Sequence, residues 1–570
     1  MRFKVWLIMP TADAEPNVDP GGSGLHGALR RAAGHWRAAI ILLTVLLAAI
    51  LLFARLGHYA LWDDEATTAL IGQGVWRTGD TSVVVGRNIV AYRNGRELSD
   101  HLKDRYVPPL QYYLAAPFVG PWPGSALAAR FPFALVGLGA VILLLVWMYR
   151  DRADPLTWVL MTMGLVGNVS FWLYCRQCRY YALAIFLSLA IVYLYLHWTR
   201  RRWQPPLIAA ASVGLFASNY LNYAALYGAL GIDWLIWGRK RFRPDWRGWL
   251  WICLPQIILG GLIIWVWNPL GKPPFMADSS NGVWNRLTLL WWSWRDMNRC
   301  EFGAIVLVIA APLLWFLRRD ERLLRAPLAL LCYVLAVVAL SPQQTWVLQS
   351  GKWVQASPAA DVRYFAPVIL LLVGIGALAI RAATPLRLYW PAILLGVATF
   401  LTNAPRGGAL AMDQLSQSPW PVQSTLLQFA GELLSPPPDP YSAAAAWINA
   451  HVAQDESVCT LPVYARYPLM FHAPKAVYGW QLDAAAPPAL QSLPKIQFKE
   501  RVPPDYFIIF GRATSPARVF RLRSGTHYSM VADLNVYGMD LYRPELLFRV
   551  FAPVPRFDPM VDGVRIYRRD

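Results

Sequence analysis

Asp63, Asp64 and Glu65 follow Leu61 and Trp62 directly, at the end of an apolar run from Trp36 to Leu56. Ionised carboxylates beside hydrocarbon are costly, so a cluster of them at the mouth of a membrane segment reads as a functional site. The competing reading is the start of a wet loop, and position alone does not separate the two. A carboxylate can take a proton from a hydroxyl. The complementary chemistry is that of arginine, whose planar fork of donors suits phosphate oxygens. Four arginines qualify by position: Arg105, ahead of Pro108-Pro109; Arg176 and Arg179, around the junction of two later apolar runs; and Arg363, at the head of another. Arginine at a span end either snorkels or binds an anion. Carboxylates and arginines together at a membrane surface fit group transfer from a lipid phosphate to a hydroxyl. Tyr180, Tyr181, Tyr364 and the tryptophans at 284, 291, 292 and 294 could contact a sugar, although interfacial belts use the same residues.

The elements that must position these groups are membrane spans. The chain has 570 residues, 56% of them hydrophobic, with only 15% charged against the roughly one quarter usual in soluble proteins. Repeated apolar runs predict a polytopic α-helical membrane protein. The net charge of +19 sits largely at the ends of those runs, where it orients helices, so nucleic acid is not the expected partner. About eleven spans are expected, with room for thirteen, at 38–56, 127–149, 156–173, 180–198, 206–219, 221–238, 249–267, 303–317, 327–341, 362–380 and 388–402. Basic clusters after every second span fall on one side. This places residues 1–36 in the cytoplasm and puts 57–108, a long polar first loop, on the outer face. The apolar piece after Pro109 is too short to span and reads as a re-entrant or interfacial helix. Gly137-Leu138-Gly139 reads as helix packing, not as a nucleotide loop.

Beyond a Pro-rich linker at 404–440, helical and apolar strand patterns alternate. They are a helix at 441–451 and strands at 457–461, 504–510 and 563–567, which together predict a small C-terminal α/β domain over 441–570 on the outer (periplasmic) face. The six cysteines form no disulfide framework or zinc pattern, and Cys175 and Cys178 are a CxxC at a helix end.

Five motifs occur in order: Leu61-Trp-Asp-Asp-Glu-Ala66, Val107-Pro-Pro-Leu-Gln-Tyr-Tyr-Leu114, Ala129-Arg-Phe-Pro-Phe-Ala-Leu135, Arg179-Tyr-Tyr-Ala-Leu183 and Val362-Arg-Tyr-Phe-Ala-Pro367. The series resembles the membrane-embedded GT-C glycosyltransferases of the protein O-mannosyltransferase and lipid A aminoarabinose transferase type. The resemblance covers roughly residues 38–380. It implies inverting transfer of a sugar from a polyprenyl-phosphate donor to a glycan, lipid or protein hydroxyl on the outer face of the membrane; apart from the resemblance, the lack of a eukaryotic retention signal suggests a bacterial inner membrane. Under the resemblance, Asp64 matches the first acid of the family's Asp-Glu pair, Glu65 its partner, and Asp63 is a substitute for either. Arg179 and Tyr181 match its Arg-x-Tyr, Arg363 and Tyr364 its late Arg-Tyr facing the donor phosphate, and Arg130 the arginine heading the second span. Val107 stands where the family often has His or Lys, so Arg105 or Lys103 is expected to take over at the phosphate. No metal is assigned, although His101 with Asp104 could bind a divalent ion. Two other readings stay open: a ligase or polymerase of polyprenyl-diphosphate-linked glycans, and a lipid or sugar transporter, for which Asp233 is the one mid-span carboxylate.

Overall fold

The computed structural model describes residues 25–95, 97–99, 101–267, 282–300, 304–349, 352–355, 360–384, 389–402, 404, 424–436, 438–483, 490–511, 525–536 and 563–570. Most of the expected N-terminal tail and of the 404–440 linker lies outside them.

The chain opens with α1 (Leu25–Phe53), followed by α2 (Asp63–Thr78), a short hairpin of β1 (Val84–Val85) and β2 (Asn88–Ile89), and α3 (Leu110–Val119). Then come α4 (Ala126–Arg150), α5 (Pro155–Gly167), α6 (Val169–Cys175), α7 (Tyr181–Leu196), α8 (Gln204–Ser218), α9 (Tyr220–Ile236) and α10 (Trp246–Trp267). The helical part continues with α11 (Gly282–Cys300), α12 (Ala304–Arg318), α13 (Arg322–Leu340), a hairpin of β3 (Trp346–Gln349) and β4 (Lys352–Gln355), a 3-10 turn (Val362–Val368), α14 (Ile369–Ala383) and α15 (Tyr389–Gly396).

Five of these stretches are long and apolar enough to cross a membrane: Trp36–Phe53, Ala126–Arg150, Trp246–Trp267, Arg322–Leu340 and Val362–Ala383. The α5–α6 pair makes a sixth if its 59° bend is one broken span. By length and composition the described residues thus show fewer spans than the eleven expected. Several expected spans are helices of 15 to 17 residues, short for a hydrocarbon core of about 30 Å. The break at 168 has a local cause. The Asn168 side chain accepts the Phe171 N–H at 2.9 Å and so starts a new helix. Gly137 is a packing position: a Cβ there would lie 2.6 Å from that of Cys175. Cys175 and Cys178 are buried free thiols.

The first loop is more ordered than its polarity predicts, because α2 lies within it. Its opening turn carries three acids, which suit the positive end of the helix dipole. It closes on Gly79, left-handed at φ 74°, whose N–H bonds Val75 O at 2.8 Å. α2 packs on α3 and on α18 (Arg466–His472).

After α16 (Thr425–Leu434), the C-terminal residues supply α17 (Pro440–His451), β5 (Ser457–Leu461), α18, β6 (Val477–Tyr478), β7 (Tyr506–Phe510), β8 (Tyr528–Leu534) and β9 (Val564–Arg569). The strands form one sheet in the order β6-β5-β7-β9-β8. β5 is parallel to β6 and β7, and β9 is antiparallel to β7 and β8. The apolar run Tyr506–Phe510 is buried along its whole length, as a central strand covered on both faces requires. This sheet docks on the first loop. The Asn88 side chain donates to Ala476 O at 2.9 Å and accepts from Tyr478 N at 2.7 Å, while Ile89 and Ala91 share a core with Leu482, Leu490 and Phe498.

Candidate functional site

Asp63, Asp64 and Glu65 form the first turn of α2, and their surroundings separate them. Glu65 is fully buried and its bonding is complete. Arg130 on α4 grips it with two bonds, Nε to Oε1 at 2.9 Å and Nη2 to Oε2 at 2.6 Å. The Cys178 N–H adds a third at 2.7 Å, and Glu65 reaches back to the Trp62 N–H at 3.4 Å as a helix-capping carboxylate does. Glu65 therefore fixes α2 to the helical part, and it has no edge open to a substrate.

Asp64 is one quarter exposed and lies between two arginines from distant parts of the chain. Arg363, in the 3-10 turn ahead of α14, donates from Nη1 to Asp64 Oδ2 at 2.8 Å, and its Nε stands 2.7 Å from Asp361 Oδ1. Arg179, in the turn between α6 and α7, brings Nη2 to 3.4 Å from Asp64 Oδ1 and donates from Nη1 to Thr68 Oγ1 at 3.1 Å. The Nε–H of Arg179 is buried and no described group accepts it. Guanidinium donors of this kind can bond phosphate oxygens as well as a carboxylate.

Aromatic rings pack beside both arginines, Tyr180 by Arg179 and Tyr364 by Arg363. Tyr181 is buried against Tyr174 and Tyr180, with ring centres 4.9 and 4.6 Å apart. Tyr180, not Tyr181, lies under the Arg179 guanidinium, and its N–H is held by Gln111 Oε1 at 3.2 Å. Tyr364 follows Arg363, and the Tyr333 hydroxyl reaches its carbonyl at 3.2 Å. Asp63 is partly exposed on the same turn, and its carbonyl accepts the Thr67 hydroxyl.

Two expected site residues stand elsewhere. Arg176 is buried and donates to the carbonyls of Leu51 and Leu52 at 2.9 and 3.0 Å, satisfying the C-terminal end of α1. Arg105 forms a fork onto Asp80 at 2.8 and 2.7 Å and bonds Thr81, just past the far end of α2 and roughly 20 Å along that helix from Asp64. Arg105 and Lys103 together hold the Asp80 carboxyl well below the usual carboxylate range. Asp104 is fully buried and accepts from the Tyr112 and Tyr92 hydroxyls and the Tyr106 N–H. His101 is exposed, and among the described residues no three His, Cys, Asp or Glu side chains gather to hold a metal ion. Glu97 is buried in the same loop, and burial pushes its carboxyl up to about 7.

Several contributors escape sequence reading. Asp439 and His472, from the C-terminal elements, bond the backbone at Ala60 and Leu61 at 2.5 and 3.0 Å. Thr68 carried one local signal, its place one turn after Asp64 on the same helix face. Asp361 carried another, two residues ahead of Arg363.

No family model matches this chain, and no curated protein sequence does. Among solved structures it is similar to ArnT from Cupriavidus metallidurans bound to undecaprenyl phosphate, at 16% identity and a TM-score of 0.44, covering 76% of this chain and 75% of that one. The apo state of the same protein gives 16% and 0.43, with coverage of 78% and 76%. The arabinofuranosyltransferase AftD from Mycobacteria gives 14% and 0.38, covering 94% of this chain and 40% of that one.

Proposed function

We propose that the chain is an inverting glycosyltransferase that moves a sugar from a polyprenyl-phosphate donor to an acceptor hydroxyl at the outer face of a bacterial inner membrane. The observation that carries the reading is Asp64, partly open and set between Arg179 and Arg363, within the motif order that resembles such enzymes. The spans over 37–403 form the transfer domain, and residues 441–570 form a periplasmic domain lying over it.

In the proposed step the acceptor oxygen attacks the anomeric carbon from the face opposite the phosphate. The new carbon–oxygen bond forms as the bond to the phosphate oxygen breaks, and that electron pair leaves with the lipid phosphate. Arg179 and Arg363 stabilise the charge gathering there, and Asp64 takes the hydroxyl proton. Phosphate oxygens compete with Asp64 for the same guanidinium donors. Donor binding then loosens both arginines from the carboxylate and frees it to act as a base. Tyr364, partly exposed beside Arg363, supplies a surface against which a sugar packs, while Tyr180 and Tyr181 are buried behind the arginines' backbone turn and steady it.

The reading is tested by deleting the chain from its host and identifying lipid-linked sugars by mass spectrometry. Accumulation of one polyprenyl-phosphate sugar is the expected outcome, and an unchanged lipid-linked pool contradicts it.

A further inference from the structure

The backbone that leads into α2 has no secondary structure of its own, yet its polar groups are taken up from two sides. Arg130, in the helical part, donates to the carbonyls of Leu56, Tyr59 and Ala60 at 3.2, 2.8 and 2.9 Å. The C-terminal elements take the N–H groups, Ala60 N–H onto Asp439 Oδ2 at 2.5 Å and Leu61 N–H onto His472 Nε2 at 3.0 Å. Buried N–H groups outside helix and sheet need such partners or they destabilise the segment. Because Nε2 accepts, His472 is the neutral tautomer with its proton on Nδ1. Asp439 also caps α17, through Tyr441 N–H at 3.1 Å, and accepts the Ser442 hydroxyl at 2.6 Å. One carboxylate thereby ties the start of α17 to the lead-in of α2.

We propose that His472 and Asp439 are positioning residues for Asp64: they set the direction in which the chain enters α2, and so the place of its first-turn carboxylate between Arg179 and Arg363. The inference rests on the reading of Asp64 as the reacting carboxylate. A misplacement of about 1 Å at a reacting group costs up to about a hundredfold in rate, so two anchors beside the first turn have leverage that distant contacts lack. On this account the C-terminal elements complete the transfer site through backbone geometry and need touch no substrate.

The test uses full-length protein, hydrogen exchange read by mass spectrometry, and transfer from lipid-linked sugar extracted from host membranes. In His472→Leu, amides 60–66 exchange about tenfold faster and kcat falls about tenfold, while KM for the lipid donor stays within about twofold. His472→Gln, whose Oε1 can take the place of Nε2, restores both. Exchange in β5 and β7 stays at the wild-type level. The inference is overturned by unchanged exchange and transfer in His472→Leu, by faster exchange spread through β5 and β7, or by failure of His472→Gln to rescue. The exchange result does not depend on turnover, so a silent transfer assay in the wild-type protein would count against the proposed reaction and not against the anchoring.

Discussion

The acid–arginine assemblies at Asp233 and Asp64 both lie within the helical part, and they differ in how far the acid is exposed. At Asp233 on α9, Arg325 of α13 forms a fork with bonds of 2.5 and 2.7 Å, and the Tyr195 hydroxyl of α7 adds a third at 2.7 Å. That carboxylate is 7% exposed, against 25% for Asp64. At Asp64 one arginine is bonded, the second stands at 3.4 Å, and a buried guanidinium N–H is left over. The first assembly joins three helices and leaves nothing for a ligand. The second keeps a buried donor to spare and exposes a quarter of its carboxylate side chain. Glu65 with Arg130 belongs with Asp233, although it neighbours Asp64 in sequence. The comparison also weakens transport through Asp233, because a carboxylate locked by three bonds has no capacity for a moving ion.

The largest expected effect is at the closed assembly. Arg325→Ala leaves a buried charge without its partner and should cost about 3–5 kcal/mol in stability, read as a lower melting temperature with transfer per folded molecule unchanged. Replacing both partners, as Asp233→Leu with Arg325→Met, should recover nearly all of that loss, since apolar pairs of similar volume commonly equal or exceed a buried ion pair. A double variant as unstable as the single one would break the assignment of this pair to structure alone.

At the open assembly the same chemistry should read out in binding. Arg363→Lys keeps the charge and loses the planar fork. Affinity for a polyprenyl phosphate should fall about tenfold, near 1.4 kcal/mol, with the melting temperature within about 2 °C of wild type. Equal affinity in the two proteins, measured by lipid titration, would remove Arg363 from the phosphate site.

The smallest effect concerns pH. Burial, with Arg130 nearby, lowers His472 to about 4, although Asp439 opposes the shift. Its folded value lies below the unfolded 6.5, so between those values the unfolded chain binds more protons. Stability therefore falls as pH drops below about 6.5, with a contribution near 1 kcal/mol at pH 5.5. Glu97, raised to about 7, acts in the opposite sense, losing stability as pH rises from about 4.5. The wild-type minus His472→Gln difference in melting temperature between pH 7 and 5.5 isolates the histidine, and no difference would mean that it is not held neutral.

Local pattern made much of this legible. The strand expected at 457–461 is β5, the apolar run at 504–510 contains β7, and the Ala-rich helix expected at 441–451 is α17. α2 was harder. Thr67, Thr68, Gly72 and Gly74 are poor helix formers and the segment is polar, yet burial against α3 and α18 outweighs that weak preference. Its end signals, acids in the first turn and Gly79 after the last, were there to be read. The pairings were not legible. Arg130, Arg176 and Arg363 are the same residue type at similar span ends, and only the chain's path decides that the first saturates Glu65, the second caps α1 and the third meets Asp64.

The account turns on Asp64 being open for chemistry where Glu65 and Asp233 are closed, and Asp64→Asn tests this most directly. The variant should melt within about 2 °C of wild type, and its transfer from lipid-linked sugar of the host membranes should fall by about 10²-fold or more. A folded Asp64→Asn protein that transfers at the wild-type rate would contradict the account.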